Sequence, residues 1–268
     1  MRVPRLVVSD LDGTLLRSDG SVSQRTVDAI AAVQEGGRGW VVATARPPRW
    51  MDDLDDVVGH GGVAICSNGA FVYDVARRTV VAERTLDPGV TSELVEDLRV
   101  AVPDIAFALE CKDGFAREYA FVDECREGSG RRADSALDLL ERPVGKVLAR
   151  SPSLENAIFL TTVAEVVGER AVMAYSGATG LAEISAQGVT KASVLDSWCA
   201  DLGVLPEDVW AFGDMPNDLA MLRWAGTSYA VANGHPEVRA AADHVIAAND
   251  EDGVAQVLES LDLTSAVD

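Results

Sequence analysis

Basic residues are scarce in this chain. Its 23 Lys and Arg stand against 43 Asp and Glu, for a formal net charge of −20. A surface this acidic repels nucleic acid and anionic lipid, both of which are bound through Lys and Arg that displace counterions. Nucleic-acid and membrane partners are therefore not expected. Cysteine is sparse as well: the four, Cys66, Cys111, Cys125 and Cys199, lie far apart with no Cys-x-x-Cys pair. That excludes a zinc ribbon and a dense disulfide framework, and it predicts reduced, mostly buried thiols. The three histidines, His60, His235 and His244, share no motif and are read as non-catalytic. No apolar stretch approaches a membrane span, and the few apolar residues before Asp10 are too short for a signal-peptide core, so the default compartment is the cytoplasm. Internal repeats and low-complexity segments are absent.

What is present is enough apolar sequence for a real core, 48% of 268 residues. Leu6-Val7-Val8 is a continuous apolar run, as in a strand buried on both faces of a parallel sheet. Ser23 N-caps a helix over Gln24 to Glu35 that Gly36-Gly37 ends, and Trp40 to Ala43 reads as a second buried strand. A helix over about 49–58 and a strand at Val63 to Cys66 continue the alternation that marks a parallel α/β sheet. After about Val81 the order becomes mixed. Helices are expected at Ser92 to Val100 and Leu154 to Val167, and strands at Ile105 to Glu110, Phe115 to Phe121 and Val144 to Ala149. A flexible loop is expected at 128–132 and a hairpin at Ala171 to Tyr175 and Leu181 to Ser185. Alternation resumes with a helix from Lys191 to Leu202, a strand Val209 to Phe212 and a helix from Asp218 to Trp224. A strand Ser228 to Val231, a helix Pro236 to Ala242, a short strand Val245-Ile246 and a closing helix complete it. The expected organisation is a core split between residues 1–82 and 187–268, with an α+β insert over 83–186. Trp40 and Trp210 fall in strands and read as core packing, and the acidic run Asp52 to Asp56 as a solvated helix face.

Polar groups gather at the strand ends. Asp10 and Asp12 follow the first strand, Thr44 the second, and Asp214, Asn217 and Asp218 follow the strand at 209–212, while Lys191 begins a helix. In open α/β sheets ligands bind outside the carboxyl ends of the strands, so these distant residues are expected to meet at one rim. An isolated Asp-x-Asp is usually a solvated turn; two acidic motifs at equivalent strand ends in one chain are not. Several carboxylates together call for a cation, and hard oxygen ligands suit Mg2+. A carboxylate at a strand tip can attack phosphorus and form an aspartyl phosphate, which assigns attack to Asp10. Asp12, two residues on, is placed for general acid–base work, with Gly13 permitting the turn between them. Arg46 and Asn68 are read as substrate contacts or as structural hydrogen-bonders. The substrate implied is a small phosphorylated metabolite, and a local cation would answer the acidic surface it must approach.

Asp10-Leu11-Asp12-Gly13-Thr14, Thr44, Lys191 and Gly213-Asp214-Met215-Pro216-Asn217-Asp218 together resemble the four motifs of the haloacid dehalogenase superfamily, and within it the Cof-type sugar phosphatases. Supporting stretches are Ser67-Asn68-Gly69-Ala70, Gly188 to Lys191, Ala242 to Val245 and Asn249 to Val254. The resemblance implies a Rossmann-like parallel sheet with helices on both faces and an inserted α+β cap that closes over the site. It implies Asp10 as nucleophile and Asp12 as acid–base. The Mg2+ would be held by the Asp10 carboxylate, the Asp12 main-chain carbonyl, Asp214 and, directly or through water, Asp218. Thr44 and Lys191 would bind the phosphoryl oxygens, with Asn217 helping to orient them. Two positions depart from the pattern: Ala45 precedes Arg46 and Ala192 follows Lys191 where glycine is usual. A phosphomutase of the same fold is the nearest alternative. A phosphorylatable signalling module or a non-catalytic binding protein is the alternative from another class, and the inserted cap and the complete motif set argue against both.

Overall fold

The computed structural model describes residues 3–59, 62–122 and 130–261. It divides into two compact units, Met1–Val81 with Lys191–Asp268, and Ala82–Thr190. The first unit opens with β1 (Leu6–Ser9), α1 (Gln24–Glu35), β2 (Gly39–Ala43), α2 (Asp55–Val58), β3 (Val63–Cys66), β4 (Phe71–Asp74) and β5 (Thr79–Glu83). The second holds α3 (Pro88–Ala101), β6 (Ala106–Cys111), β7 (Gly114–Glu118), β8 (Arg131–Ala133), β9 (Val144–Arg150), α4 (Asn156–Val167), β10 (Ala171–Ala174) and β11 (Leu181–Ala186). The first unit resumes with α5 (Lys191–Leu202), β12 (Val209–Gly213), α6 (Leu219–Trp224), β13 (Thr227–Val231), α7 (Pro236–Ala241), β14 (His244–Ile246) and α8 (Gly253–Glu259).

The first unit is built on an eight-stranded sheet of order β14-β13-β12-β1-β2-β3-β4-β5. From β14 to β3 the pairing is parallel, and β4 turns back antiparallel on β3. The central strands are apolar on both faces because helices cover both. Val7 packs in the layer with α1 and α8, while Leu6 and Val8 pack in the layer with α5, α6 and α7. The chain is thus an α/β fold with a parallel sheet between helices. Trp40 and Trp210 are buried in the first of these layers, and the Trp40 indole Nε1 donates to Val57 O at 2.9 Å.

The second unit carries a six-stranded sheet of order β10-β11-β9-β6-β7-β8. Phe107 and Leu109 of β6, Val147 and Ala149 of β9, and Ala182 and Ile184 of β11 face the apolar residues of α3 and α4. The alternate residues Glu110, Lys146 and Glu183 therefore lie on the opposite face, where Lys146 Nζ meets Glu183 Oε1 at 2.8 Å. Glu118 ties the helical face together. Its carboxylate accepts from Phe107 N at 3.0 Å, from Ala136 N at 2.6 Å and from the Arg99 guanidinium.

Several expectations are corrected. The segment 49–58 is not one helix: Pro48–Trp50 forms a single 3-10 turn and the α-helix begins only at Asp55. Asp52 is not merely solvated, since it accepts the Tyr73 hydroxyl at 2.7 Å. The hairpin of β4 and β5 and the short strand β8 had no expected counterpart, β8 standing where a loop was expected. Ser23 does cap α1, its Oγ accepting from Thr26 N at 3.1 Å. Cys66, Cys111 and Cys199 are buried thiols, whereas His60, Cys125 and residues 128–129 lie outside the described residues. Among the described residues no helix is long and apolar enough to cross a membrane.

Removing the Glu118 carboxylate would leave two buried N–H groups and one guanidinium without their acceptor. Glu118→Ala is expected to destabilise the second unit by about 3 kcal/mol, read as a lower urea midpoint.

Candidate active site

β1 is the strand at which chain order reverses, with β2 on one side and β12 on the other, and such a switch point opens a crevice at the strand ends. Asp10 follows β1, Thr44 follows β2, the turn Ser67–Gly69 follows β3, and Asp214 follows β12. Lys191 is the first residue of α5 and is almost wholly buried.

The Lys191 ammonium donates to Asp10 Oδ1 at 2.5 Å and to Asp218 Oδ1 at 2.7 Å. Asp218 is fully buried, and its second oxygen accepts from the main-chain N–H of Asp214 at 3.1 Å and of Met215 at 3.0 Å. Asp214 accepts the Thr14 hydroxyl at 2.9 Å. One carboxylate oxygen from each of Asp10, Asp214 and Asp218 lies within 4.8 Å of the others, so the three could hold a metal ion.

The surrounding backbone is shaped to this cluster. Gly13 has φ +78°, and a Cβ there would fall 2.4 Å from Asp214 Oδ2. Only glycine lets the loop after β1 come so close to that carboxylate. The donor set is all oxygen and lies beside a main chain drawn in against it, which fits a hard divalent cation.

Electrostatics point the same way. Burial pushes the Asp10 carboxyl well above its ordinary 3.8, more than Lys191 lowers it, and the neighbouring Asp218 and Asp214 add to the rise. Burial, with Asp218, raises Asp214 from 3.8 to about 6. Burial opposes charge on Lys191, but Asp10 and Asp218 outweigh it and hold the ammonium above the ordinary lysine range. Three carboxylates facing one ammonium leave the cluster short of positive charge, which favours a cation there.

The remaining expected residues are placed differently. Asp12 turns away from the acidic cluster, its side chain 56% exposed and gripped by Arg46, with Nη2–Oδ1 at 2.5 Å and Nε–Oδ2 at 2.8 Å. Thr44 is fully buried, and its hydroxyl oxygen accepts from Arg46 N at 3.0 Å. Asn217 Nδ2 donates to Asn68 Oδ1 at 3.1 Å. The structure thus gathers Asp10, Lys191, Asp214 and Asp218 at one point, links Asp12 to Arg46, and links Asn68 to Asn217.

Sequence reasoning gave no role to three residues that hold this site. Thr14 orients Asp214, as above. Asn233 Nδ2 donates to Gly13 O at 2.7 Å, and its Oδ1 accepts from Asn249 N at 3.0 Å. Asn249 Nδ2 in turn donates to Leu16 O at 2.8 Å. For Asn233 the only signal was its position just beyond β13, whereas Asn249 opens one of the stretches that support the family resemblance. His235 and His244 stay outside the cluster. His235 Nδ1 accepts from Glu237 N at the start of α7, and the His244 ring stacks on Tyr229.

A profile of haloacid dehalogenase-like hydrolases matches residues 7–258. The chain belongs to that family. Among relatives of this hydrolase, "5-amino-6-(5-phospho-D-ribitylamino)uracil phosphatase YitU" of Bacillus subtilis is 29% identical over 96% of this chain and 97% of its own. A phosphoglycolate phosphatase of Natronomonas pharaonis is 30% identical over 93% of this chain and 94% of its own. A solved haloacid dehalogenase-like hydrolase from Bacteroides thetaiotaomicron superposes with a TM-score of 0.78 at 26% identity, covering 96% of this chain and 99% of that one.

The Asp214 shift of this hydrolase gives a pH signature. Its carboxyl titrates higher folded than unfolded, so the stability it contributes is present below about pH 4 and is lost as pH rises through about 6. In chelator, Asp214→Asn is expected to be the more heat-stable protein at pH 7.5, with the gap in Tm shrinking by about 5 °C toward pH 5. A gap independent of pH would refute the shift.

Proposed function

We propose that this protein is a Mg2+-dependent phosphomonoester hydrolase that acts on a small phosphorylated metabolite, such as a sugar phosphate, through an aspartyl phosphate on Asp10. The observation that carries the reading is the buried Lys191–Asp10 contact at 2.5 Å beside the carboxylates of Asp214 and Asp218. It orients a nucleophile at a strand end and leaves a cation site next to it. The relatives' names, phosphatases of a ribitylaminouracil phosphate and of phosphoglycolate, support a small phosphorylated substrate.

In this reading Asp10, Asp214 and Asp218, with the main-chain carbonyl of Asp12, hold the cation. Bound there, it would offset phosphoryl charge and polarise the phosphoryl group. Lys191 fixes Asp10 and adds a second positive charge, and Thr44 and Asn217 orient the phosphoryl oxygens. An Asp10 carboxylate oxygen attacks phosphorus, the ester P–O bond breaks, and Asp12 gives its proton to the departing alkoxide. Asp12, now a carboxylate, takes a proton from a water whose oxygen attacks the aspartyl phosphate. The bond from Asp10 to phosphorus breaks, inorganic phosphate leaves, and both acids return to their starting state. The same exposure that lets Asp12 reach Arg46 keeps it accessible to a leaving alcohol.

Two measurements test the reading. Asp10→Asn is expected to lower kcat for para-nitrophenyl phosphate by about 10^3-fold or more while leaving the fold intact; retained activity removes Asp10 as nucleophile. Chelation is expected to stop release of inorganic phosphate and Mg2+ to restore it, and turnover that ignores the chelator removes the metal. An isomeric phosphate product in place of inorganic phosphate would mark a mutase.

A further inference from the structure

The turn after β3 is strained at two consecutive non-glycine residues. Ser67 has φ +51° and Asn68 φ +56°, both left-handed, and Gly69 follows at φ +112°. Such a conformation is strained at each non-glycine position and persists only where the surroundings impose it. Asparagine is among the residues that tolerate it best, and serine is not.

What the turn holds is specific. Ser67 N donates to Arg46 O at 2.8 Å and Asn68 N to Thr44 O at 3.0 Å, so its backbone carries the loop after β2. The Asn68 side chain reaches the loop after β12, taking the hydrogen of Asn217 Nδ2 at 3.1 Å. Helix α5, with Lys191 at its start, packs against both this turn and the turn Pro216–Asp218. Asn217 Oδ1 is buried and has no hydrogen-bond partner, although Asn217 stands one residue from Asp218. An unsatisfied buried acceptor is costly unless a ligand or water donates to it. Flipping the Asn217 amide alone would not relieve this, because it would bring two carbonyl oxygens together at Asn68.

We propose that Asn68 is a positioning residue that works through Asn217. The left-handed turn presents Asn68 Oδ1 as an acceptor, and that acceptor fixes which way the Asn217 amide faces. This inference rests on the proposed function, because it assigns Asn217 a place at the phosphoryl site. It differs from a direct substrate contact by Asn68 in one respect: Asn68 matters only while Asn217 is there to be oriented.

Asn68→Gly separates the two roles, since glycine adopts the left-handed conformation freely and keeps the turn's bonds to Thr44 and Arg46. With para-nitrophenyl phosphate and Mg2+, Asn68→Gly is expected to lose about tenfold in kcat, with KM within about twofold and Tm nearly unchanged. Asn217→Ala is expected to lose at least as much, and the double variant to match Asn217→Ala alone within about twofold. Losses that multiply in the double variant, a loss carried by KM, or full activity in Asn68→Gly would each overturn the proposal. All three leave hydrolysis by the wild-type protein standing, whereas a wild-type protein inactive on every phosphomonoester would overturn the proposed function instead.

Discussion

The ammonium of Lys191 sits in a buried pocket with the carboxylates of Asp10 and Asp218 at 2.5 and 2.7 Å, and Asp214 joins them. Three carboxylates against one ammonium leave two negative charges uncompensated if all are ionised. Burial forbids that, since removing charge from water costs several kcal/mol per ion unless a partner repays it. Much of the local architecture answers this constraint. Main-chain N–H groups of Asp214 and Met215 bind one side of Asp218, the Thr14 hydroxyl binds Asp214, and protons or a cation make up what remains. Lys191 is also where the chain re-enters the first unit after the second, so the charge balance joins the two separated halves of that unit.

Most of the first unit was legible from the chain because its strands are short apolar runs bounded by polar strand ends, and α1 has a clear cap at Ser23. Leu6-Val7-Val8 followed by Asp10 needs no partner to be recognised. The hairpin β4–β5 was less legible. β5 is largely exposed along its length, so its residues show neither a buried run nor a clean alternation. The break within 49–58 was hidden because Pro48 opens a 3-10 turn compatible with helix composition, and nothing local marks the second start at Asp55.

At the site, the residues at strand ends were legible because topology alone brings strand ends together. Side-chain direction was not. Whether Asp12 faces the acidic cluster or Arg46 depends on the rotamers of two residues 34 positions apart. Asn233 and Asn249 bind the loop after β1 across separations of 220 and 233 residues, with no recurring spacing to announce them. Asn68 and Asn217, 149 residues apart, were each visible as candidates, but their bond to one another was not.

The anchoring of the first loop by the last segment bears on how the protein is made. Gly13 O is held by Asn233, Leu16 O by Asn249, Ser18 by Asp250 and Arg17 by Asp252. β1 also lacks one of its two neighbours until β12 exists. A nascent chain therefore emerges with Asp10 and Asp12 on an unpinned loop, while Ala82–Thr190, contiguous in sequence, can fold as soon as it clears the ribosome. The acidic cluster has all its side chains only once Asp218 is out, and the loop that carries Asp12 and Gly13 gains its last anchors only with Asn249, Asp250 and Asp252.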